Sequence, residues 1–371
     1  MIVNWLLTRK CNRRCSYCGI VSDPKNAKLS RISEINNNEM TFETIVDSIH
    51  GMNMVYNPNT LFHIFYGGEP FLKPGFSDFI NTINRDMPNV NYTVITNGSL
   101  RNNIVECFQK AGKFKGLTVS LDPMIMESDN VFNDIKNNNG FEVLKMNQEM
   151  GLTDDMVVEC VLDKRNIKYS SDFLNFMHEH FPEVSISISV YDFPKNEEYD
   201  FALNDLATKE YIDSMRLYPL EKHTHEAFTD IHDFASKLGY NIHLGNSKEF
   251  LNKIQVACDS TYMCKICHSD NDKYEAPKFK TLTIDADGRF RLCLRIAGRP
   301  RINVRDVFGN FKNDIRCEET IIKRANVLKD DLLSNYNEYC KGCAWTCPMM
   351  DEHWKDPTDV AHGQVGSKTK F

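Results

Sequence analysis

The sequence predicts an α/β fold, a partial (β/α)6 TIM-like barrel followed by a small cysteine-rich C-terminal domain containing a β-hairpin and a helix. Three observations carry this. Six strand-like segments alternate with helix-like ones over residues 1–190, the pattern of parallel strands joined by crossover helices. Several of the strands end at Gly, Asn or Asp, where a site at the C-terminal strand ends belongs. Eight of the 13 cysteines fall after residue 257, which marks off a second region. Six units are too few for a closed eight-stranded barrel, so an open three-quarter barrel is expected. A six-stranded doubly wound sheet satisfies the same pattern.

In chain order, the strand segments are 2–8, 61–67, 92–98, 116–122, 156–162 and 184–190, rich in Val, Ile, Thr and aromatic residues. Segments 40–56, 76–87, 101–112 and 171–181 place apolar residues three and four apart and read as helices. Thr41 stands as an N-cap, with Thr44 where a capping-box Glu would be. Residues 1–200 are expected to form the barrel and 201–255 a helical connector with a helix at 226–240. Residues 256–354 form the cysteine-rich domain, with a hairpin over 279–294 turning at "DADG" and a helix at about 318–337. A flexible polar tail is expected over 355–371.

Composition narrows the function. The 371 residues are 42% hydrophobic and 26% charged, ordinary for a soluble globular protein. No apolar run approaches the roughly 18 residues of a membrane span, and "MIVNWLLTRK" reads as a first strand rather than a signal peptide. A cytoplasmic location is expected, with no membrane partner. A net charge of −7 without a basic stripe points away from nucleic acid. Cysteines kept reduced are ligands more readily than disulfides. Cys107 and Cys160 stand alone in apolar settings and read as buried small hydrophobes. Met124, Met126, Met146 and Met150 have core-like spacing.

"RKCNRRCSYCGI" (9–20) sets Cys11, Cys15 and Cys18 in one loop directly after the first strand. Three thiols are an odd number for disulfides and one short of a closed zinc site. They can hold three corners of a four-iron cluster and leave the fourth iron open to a non-protein ligand. Cys11-x3-Cys15-x2-Cys18, with Tyr17 before the last cysteine, resembles the signature of the radical S-adenosylmethionine (radical SAM) superfamily. "FYGGEP" (65–70) at the second strand end supports the resemblance. Its glycines allow close backbone approach, and in the superfamily such a motif binds the amino group of the cosubstrate's methionine portion. Gly67, Gly68, Glu69 and Pro70 are the residues concerned.

"VITNG" (94–98) and "VSLDP" (119–123) end the third and fourth strands. By resemblance, Thr96, Asn97, Ser120 and Asp122 contact ribose and carboxylate groups. The alternative for all four is that they are strand terminators. Arg165 or Asn166 is a further candidate from the fifth strand end. Asp122, Tyr191 and Asp192, by their place at predicted C-terminal strand ends alone, are candidates to touch substrate. The resemblance implies a [4Fe–4S] cluster on Cys11, Cys15 and Cys18, its open iron chelated by S-adenosylmethionine. One-electron cleavage then yields a 5′-deoxyadenosyl radical that abstracts hydrogen from a substrate.

The later cysteines are Cys258, Cys264, Cys267, Cys293, Cys317, Cys340, Cys343 and Cys347. A cysteine, a hairpin with Gly288-x4-Cys293, then Cys340-x2-Cys343 resembles the SPASM and twitch auxiliary-cluster domains. Two departures stand out: x3-Cys347 follows the CxxC directly, and the gap from Cys267 to Gly288 is long. One or two auxiliary [4Fe–4S] clusters are implied, with zinc as the alternative. His223, His225 and His268 read as a solvated stretch and a replacement ligand at most.

The resemblance implies an oxidoreductase or transferase that modifies a peptide or protein side chain by oxidation, crosslinking or epimerisation. A small-molecule dehydrogenase is the alternative within the same chemistry, and a non-catalytic zinc-binding module the alternative outside it. A flavodoxin or ferredoxin is the expected electron donor. With its first strand starting at residue 2, the chain is expected to have no peptide-recognition domain ahead of the barrel.

Overall fold

A computed structural model describes residues 1–13, 39–122, 138–162, 169–190, 279, 281–291, 302–309 and 318–339. Eight strands are found among them: β1 (Ile2–Leu6), β2 (Phe62–Tyr66), β3 (Asn91–Thr96), β4 (Leu117–Ser120), β5 (Met156–Leu162), β6 (Ser185–Val190), β7 (Thr281–Ile284) and β8 (Phe290–Arg291). The helices are α1 (Phe42–Val55), α2 (Phe76–Asp86), α3 (Arg101–Ala111), α4 (Asn139–Met150), α5 (Ser170–His180), α6 (Val304–Val307) and α7 (Glu318–Tyr339). The sheet runs β6-β5-β4-β3-β2-β1-β7-β8, parallel throughout except for β7–β8. A doubly wound sheet reverses its strand order at a switch point. Strands β1 to β6 add one after another without reversal, so the partial barrel is the architecture and the doubly wound alternative is excluded.

The expected hairpin forms, but it is not set apart from the barrel. Its first strand pairs in parallel with β1, from Ile2↔Thr281 to Trp5↔Ile284, and so extends the barrel sheet to seven parallel strands. Without it, the outer edge of β1 would present unpaired N–H and C=O groups. Helix α4 is not among the helix segments read from the sequence; Asn138 is its cap, accepting from the Gly140 N–H at 2.9 Å. Met146 is partly buried against the core, but Met150, expected inside, is 38% exposed at the helix end.

Alternation along the strands gives the sheet two different faces. One carries Val3, Trp5, Phe65, Val94, Leu117, Val119, Val158, Ile186, Leu282 and Ile284 into the main core beneath the helices. Cys107 and Cys160 are buried in this core as expected; burial pushes the Cys107 thiol up to about 12 and that of Cys160 well above its usual range. The opposite face holds Ile2, Phe62 and Ile64, with buried Asn4, Thr93, Thr118, Ser187 and Thr283. Its polar groups find partners across strands: Thr93 and Thr118 hydroxyls lie 3.0 Å apart, and Asn4 Nδ2 donates to Thr283 Oγ1 at 3.4 Å.

Helix α1 starts as expected, Thr41 Oγ1 accepting from the Thr44 N–H at 3.2 Å, with the Thr44 hydroxyl 3.0 Å away. Its far side is covered by residues 302–309 and by α7, whose Ile321, Ala325, Leu328 and Leu332 are buried at helical spacing. A methyl group on Gly51 would lie 1.9 Å from the Phe308 carbonyl oxygen. Alanine is worth roughly 1 kcal/mol more than glycine in a helix, while overpacking costs about 1–3 kcal/mol. Gly51→Ala is therefore expected to lower the melting temperature; a rise would show that residues 302–309 do not seat on α1.

One buried group on β2 makes stability depend on pH. His63 is fully buried, its Nδ1 accepting from Trp5 Nε1 at 3.0 Å. Burial, and secondarily the positive N-terminus, lower its pKa from 6.5 to about 3. The unfolded chain gains a proton below 6.5 that the folded chain refuses, so this contribution is intact above 6.5 and is lost as pH falls towards 3. The stability difference between wild type and His63→Gln should shrink over that window by up to about 1.4 kcal/mol per pH unit. Parallel pH profiles would contradict the burial of a neutral imidazole.

Candidate cluster and cofactor site

The site begins where β1 and β2 stop being regular strands. Leu7 N–H donates to the Tyr66 carbonyl at 2.7 Å, and pairing then continues through two glycines: Gly68 N–H to Thr8 O at 2.7 Å and Glu69 N–H to Lys10 O at 2.8 Å. A Cβ on Gly67 would sit 2.5 Å from Thr8 O, and one on Gly68 2.1 Å from Lys10 O. The close approach that the sequence suggested is thus made to the protein's own backbone. It holds the segment that enters the cysteine loop and places Cys11 at the barrel mouth.

Glu69 locks this turn to β3. Its side chain is fully buried, Oε1 accepting from Phe71 N–H at 3.2 Å and from the Thr96 hydroxyl at 2.8 Å, Oε2 from Asn97 N–H at 2.9 Å. Pro70 opens the short 3-10 turn Pro70–Leu72 that Glu69 caps, a position where the missing N–H is harmless. Thr96 Oγ1 in turn accepts from Gly98 N–H at 3.1 Å. Asn97 reaches back to the loop: its Nδ2 donates to Cys11 Sγ at 3.6 Å and to Asn12 Oδ1 at 3.1 Å. Ser99 N–H and hydroxyl donate to Asn97 Oδ1, and Asn12 Nδ2 donates to Ser99 Oγ at 2.7 Å. Cys11 Sγ also accepts from Arg13 N–H at 3.4 Å. A sulfur that receives two N–H donors is suited to a thiolate ligand.

The structure therefore brings Cys11, Gly67, Gly68, Glu69, Thr96 and Asn97 together. Ser120 ends β4, half-buried and paired with Glu159 of β5. Asp122 is buried and accepts from Val161 N–H at 2.7 Å, which ties the β4 exit to β5. Cys15, Tyr17, Cys18, Arg165, Asn166, Tyr191, Asp192, His223, His225, His268, Met124 and Met126 lie outside the described residues. So do Cys258, Cys264, Cys267, Cys293, Cys317, Cys340, Cys343 and Cys347.

Sequence reasoning missed the groups that close the loop. Glu39 Oε1 accepts from the Thr8 hydroxyl at 2.8 Å and from Arg9 N–H at 3.0 Å, joining the two ends of the segment that carries all three cysteines. Its Oε2 pairs with Lys73 Nζ at 3.3 Å, and Lys73 also donates to Leu7 O at 2.6 Å. Burial lowers the Lys73 pKa, and the Glu39 charge opposes it. Arg9 pairs with Asp285 at 2.6 Å. Ser99 adjoins the recognised "TNG", which is the one signal that pointed its way.

Residues 5–160 match the family model described as the Radical SAM superfamily. This segment is a radical SAM domain. Solved structures resemble the chain at low identity. SuiB from Streptococcus suis matches with a TM-score of 0.46 and 13% identity over 85% of this chain and 64% of that one. Coproporphyrinogen III oxidase (HemN) from Escherichia coli, titled a radical SAM enzyme, matches with a TM-score of 0.41 and 12% identity over 69% and 57%. TYW1 with a lysine–pyruvate adduct bound matches at 0.32 and 14% over 67% and 74%. The chain thus spans less than two thirds of the length of the first two. A search of curated proteins finds no match.

A radical SAM domain marks an enzyme and implies a [4Fe–4S] cluster with S-adenosylmethionine. The residues fit that group: a thiol with two N–H donors at its sulfur stands at the β1 end, and the sequence supplies two further thiols within the next seven residues. No helix among the described residues is long and apolar enough to cross a membrane.

Two predictions test this geometry. Gly68→Ala puts a methyl group into the Lys10 carbonyl and should lower iron incorporation from that of reconstituted wild type to that of Cys11→Ala, while the far-UV circular dichroism is kept. Glu69 supplies the second. Its burial raises its pKa above 4.5, against the hydrogen bonds from Asn97, Thr96 and Phe71 and the charge of Arg13. The folded state holds this proton more tightly than the unfolded one, so the group's contribution falls as pH rises through the window opening at 4.5. In cluster-free protein, the stability of wild type relative to Glu69→Gln should fall as pH rises through that window; a constant difference would contradict the buried carboxyl.

Proposed function

We propose that the protein reductively cleaves S-adenosylmethionine and uses the resulting radical to modify a peptide or protein side chain by oxidation, crosslinking or epimerisation. The observation that carries the radical chemistry is the placement of Cys11 against Asn97 and the Gly67–Glu69 turn at the C-terminal ends of β1, β2 and β3. Cys11, Cys15 and Cys18 would hold the [4Fe–4S] cluster. That cluster with bound S-adenosylmethionine supplies a 5′-deoxyadenosyl radical for hydrogen abstraction.

The protein's own residues have the tasks of holding and orienting. Glu69 spends its carboxylate on Phe71, Thr96 and Asn97, so recognition of the cosubstrate's ammonium group falls to backbone carbonyls of the Gly67–Glu69 turn. Ser120 and Asp122, at the neighbouring strand end, are assigned to its ribose and carboxylate. The peptide reading rests on the C-terminal cysteine set, whose spacing resembles the auxiliary-cluster domains of peptide-modifying relatives. One or two further [4Fe–4S] clusters on those cysteines would return the electron of an oxidation, with flavodoxin or ferredoxin supplying the first.

The test is formation of 5′-deoxyadenosine by anaerobically reconstituted protein with reductant and S-adenosylmethionine, in the presence of host-lysate fractions split by size. Cys15→Ala serves as the blank. Product above the blank, stimulated by the peptide or macromolecular fraction, is the expected result. Stimulation by the small-molecule fraction alone would overturn the peptide reading, and no product above the blank from cluster-replete protein would overturn the radical chemistry.

A further inference from the structure

The cysteine loop is gripped from the far end of the chain. Arg9, two residues before Cys11, places Nη2 2.6 Å from both carboxylate oxygens of Asp285, on the turn between β7 and β8. The two side chains are 7% and 10% exposed. Arg9 Nε is buried and has no acceptor among the described residues. Asp285 Oδ1 also accepts from Ala286 N–H at 2.7 Å, which orients the carboxylate. The same turn takes hold of the other end of the loop: Met40 N–H donates to Ala286 O at 2.7 Å, and the Met40 sulfur packs against Gly288. The β7–β8 turn thus touches the chain both where it enters residues 10–38 and where it leaves them.

We propose that Asp285 is a positioning residue of the cluster site, acting through Arg9 to fix the backbone leading into Cys11 and to neutralise a buried cation beside the cluster. The inference rests on the reading that Cys11 is a cluster ligand. The buried ion pairs at the loop ends are Arg9–Asp285 and Lys73–Glu39, each of which sums to zero. Removing the Asp285 charge leaves one net positive charge in a poorly solvated place, where it is weakly screened. Reduction adds an electron to the cluster, so an unbalanced cation nearby stabilises the reduced form, and net charge around a cluster is one of the levers on its potential. A carboxylate that merely supported the fold would not act on potential in this way.

The experiment uses the full chain, reconstituted anaerobically with iron and sulfide, followed by electron paramagnetic resonance during a redox titration. The signal that disappears in Cys11→Ala identifies the N-terminal cluster. If wild type shows no such signal, the cluster reading itself fails, separately from this inference. Given the signal, Asp285→Asn should shift its midpoint potential to a more positive value. The neutral pair Arg9→Gln/Asp285→Asn should bring the potential back to that of wild type. If Asp285→Asn fails to fold or to hold iron, Arg9→Gln is read instead: it leaves Asp285 as an unbalanced negative charge and should shift the potential to a more negative value, and an unshifted potential would overturn the inference. A wild-type potential in Asp285→Asn, or a double variant displaced like the single, would overturn it.

Discussion

Two carbonyls of one chain segment and two amides of another are set so close that no side chain fits between them, and the site follows from that contact. Gly68 and Glu69 donate to Thr8 and Lys10, and a Cβ on Gly67 or Gly68 would collide with those carbonyls. Because the turn is fixed to the segment entering the cysteine loop, Glu69 has one place to go, beneath the end of β3. There its carboxylate takes the three donors that bring Asn97 over Cys11. Neither glycine has a positive φ, so space and not backbone conformation is what excludes other residues there.

Charge is handled by the same economy of placement. A buried ion costs free energy unless paired and hydrogen-bonded. Lys73 and Glu39 satisfy each other and, in addition, Leu7 O, the Thr8 hydroxyl and Arg9 N–H. The consequence is mechanical: residues 9 and 39 are held together by a carboxylate before any metal arrives. A loop whose ends already meet loses less entropy when its thiols are gathered. The apolar face of the sheet packs under helices, and the opposite face carries the buried polar side chains.

Much of this was legible in the residues. The alternation of strands and helices implied parallel pairing, though not the consecutive order, and the Thr41 cap, the buried Cys107 and Cys160, and the gathering of Gly67–Glu69 with Thr96 and Asn97 all appear where the pattern put them. What stayed hidden was long-range. Nothing in "DADG" shows that Asp285 will meet Arg9 across 276 positions, or that β7 will pair with β1. Glu39 sits in a polar run with no period to distinguish it. Helix α4 was concealed because Asn favours turns as well as helix caps, and "NNNG" serves here as the cap. Asp122, read as a cosubstrate contact, also has a structural task at Val161.

The central claim is that the fold itself, rather than the cluster, shapes the entrance to the cysteine loop. Amide hydrogen exchange on the iron-free protein tests it most directly, read at Arg9, Gly68, Glu69 and Asn97, whose N–H groups donate to Glu39, Thr8, Lys10 and Glu69. The account predicts that these four amides are protected without iron to about the same degree as those within β1 and β2. Exchange as fast as in an unfolded chain, with protection appearing only after the cluster is built, would contradict it.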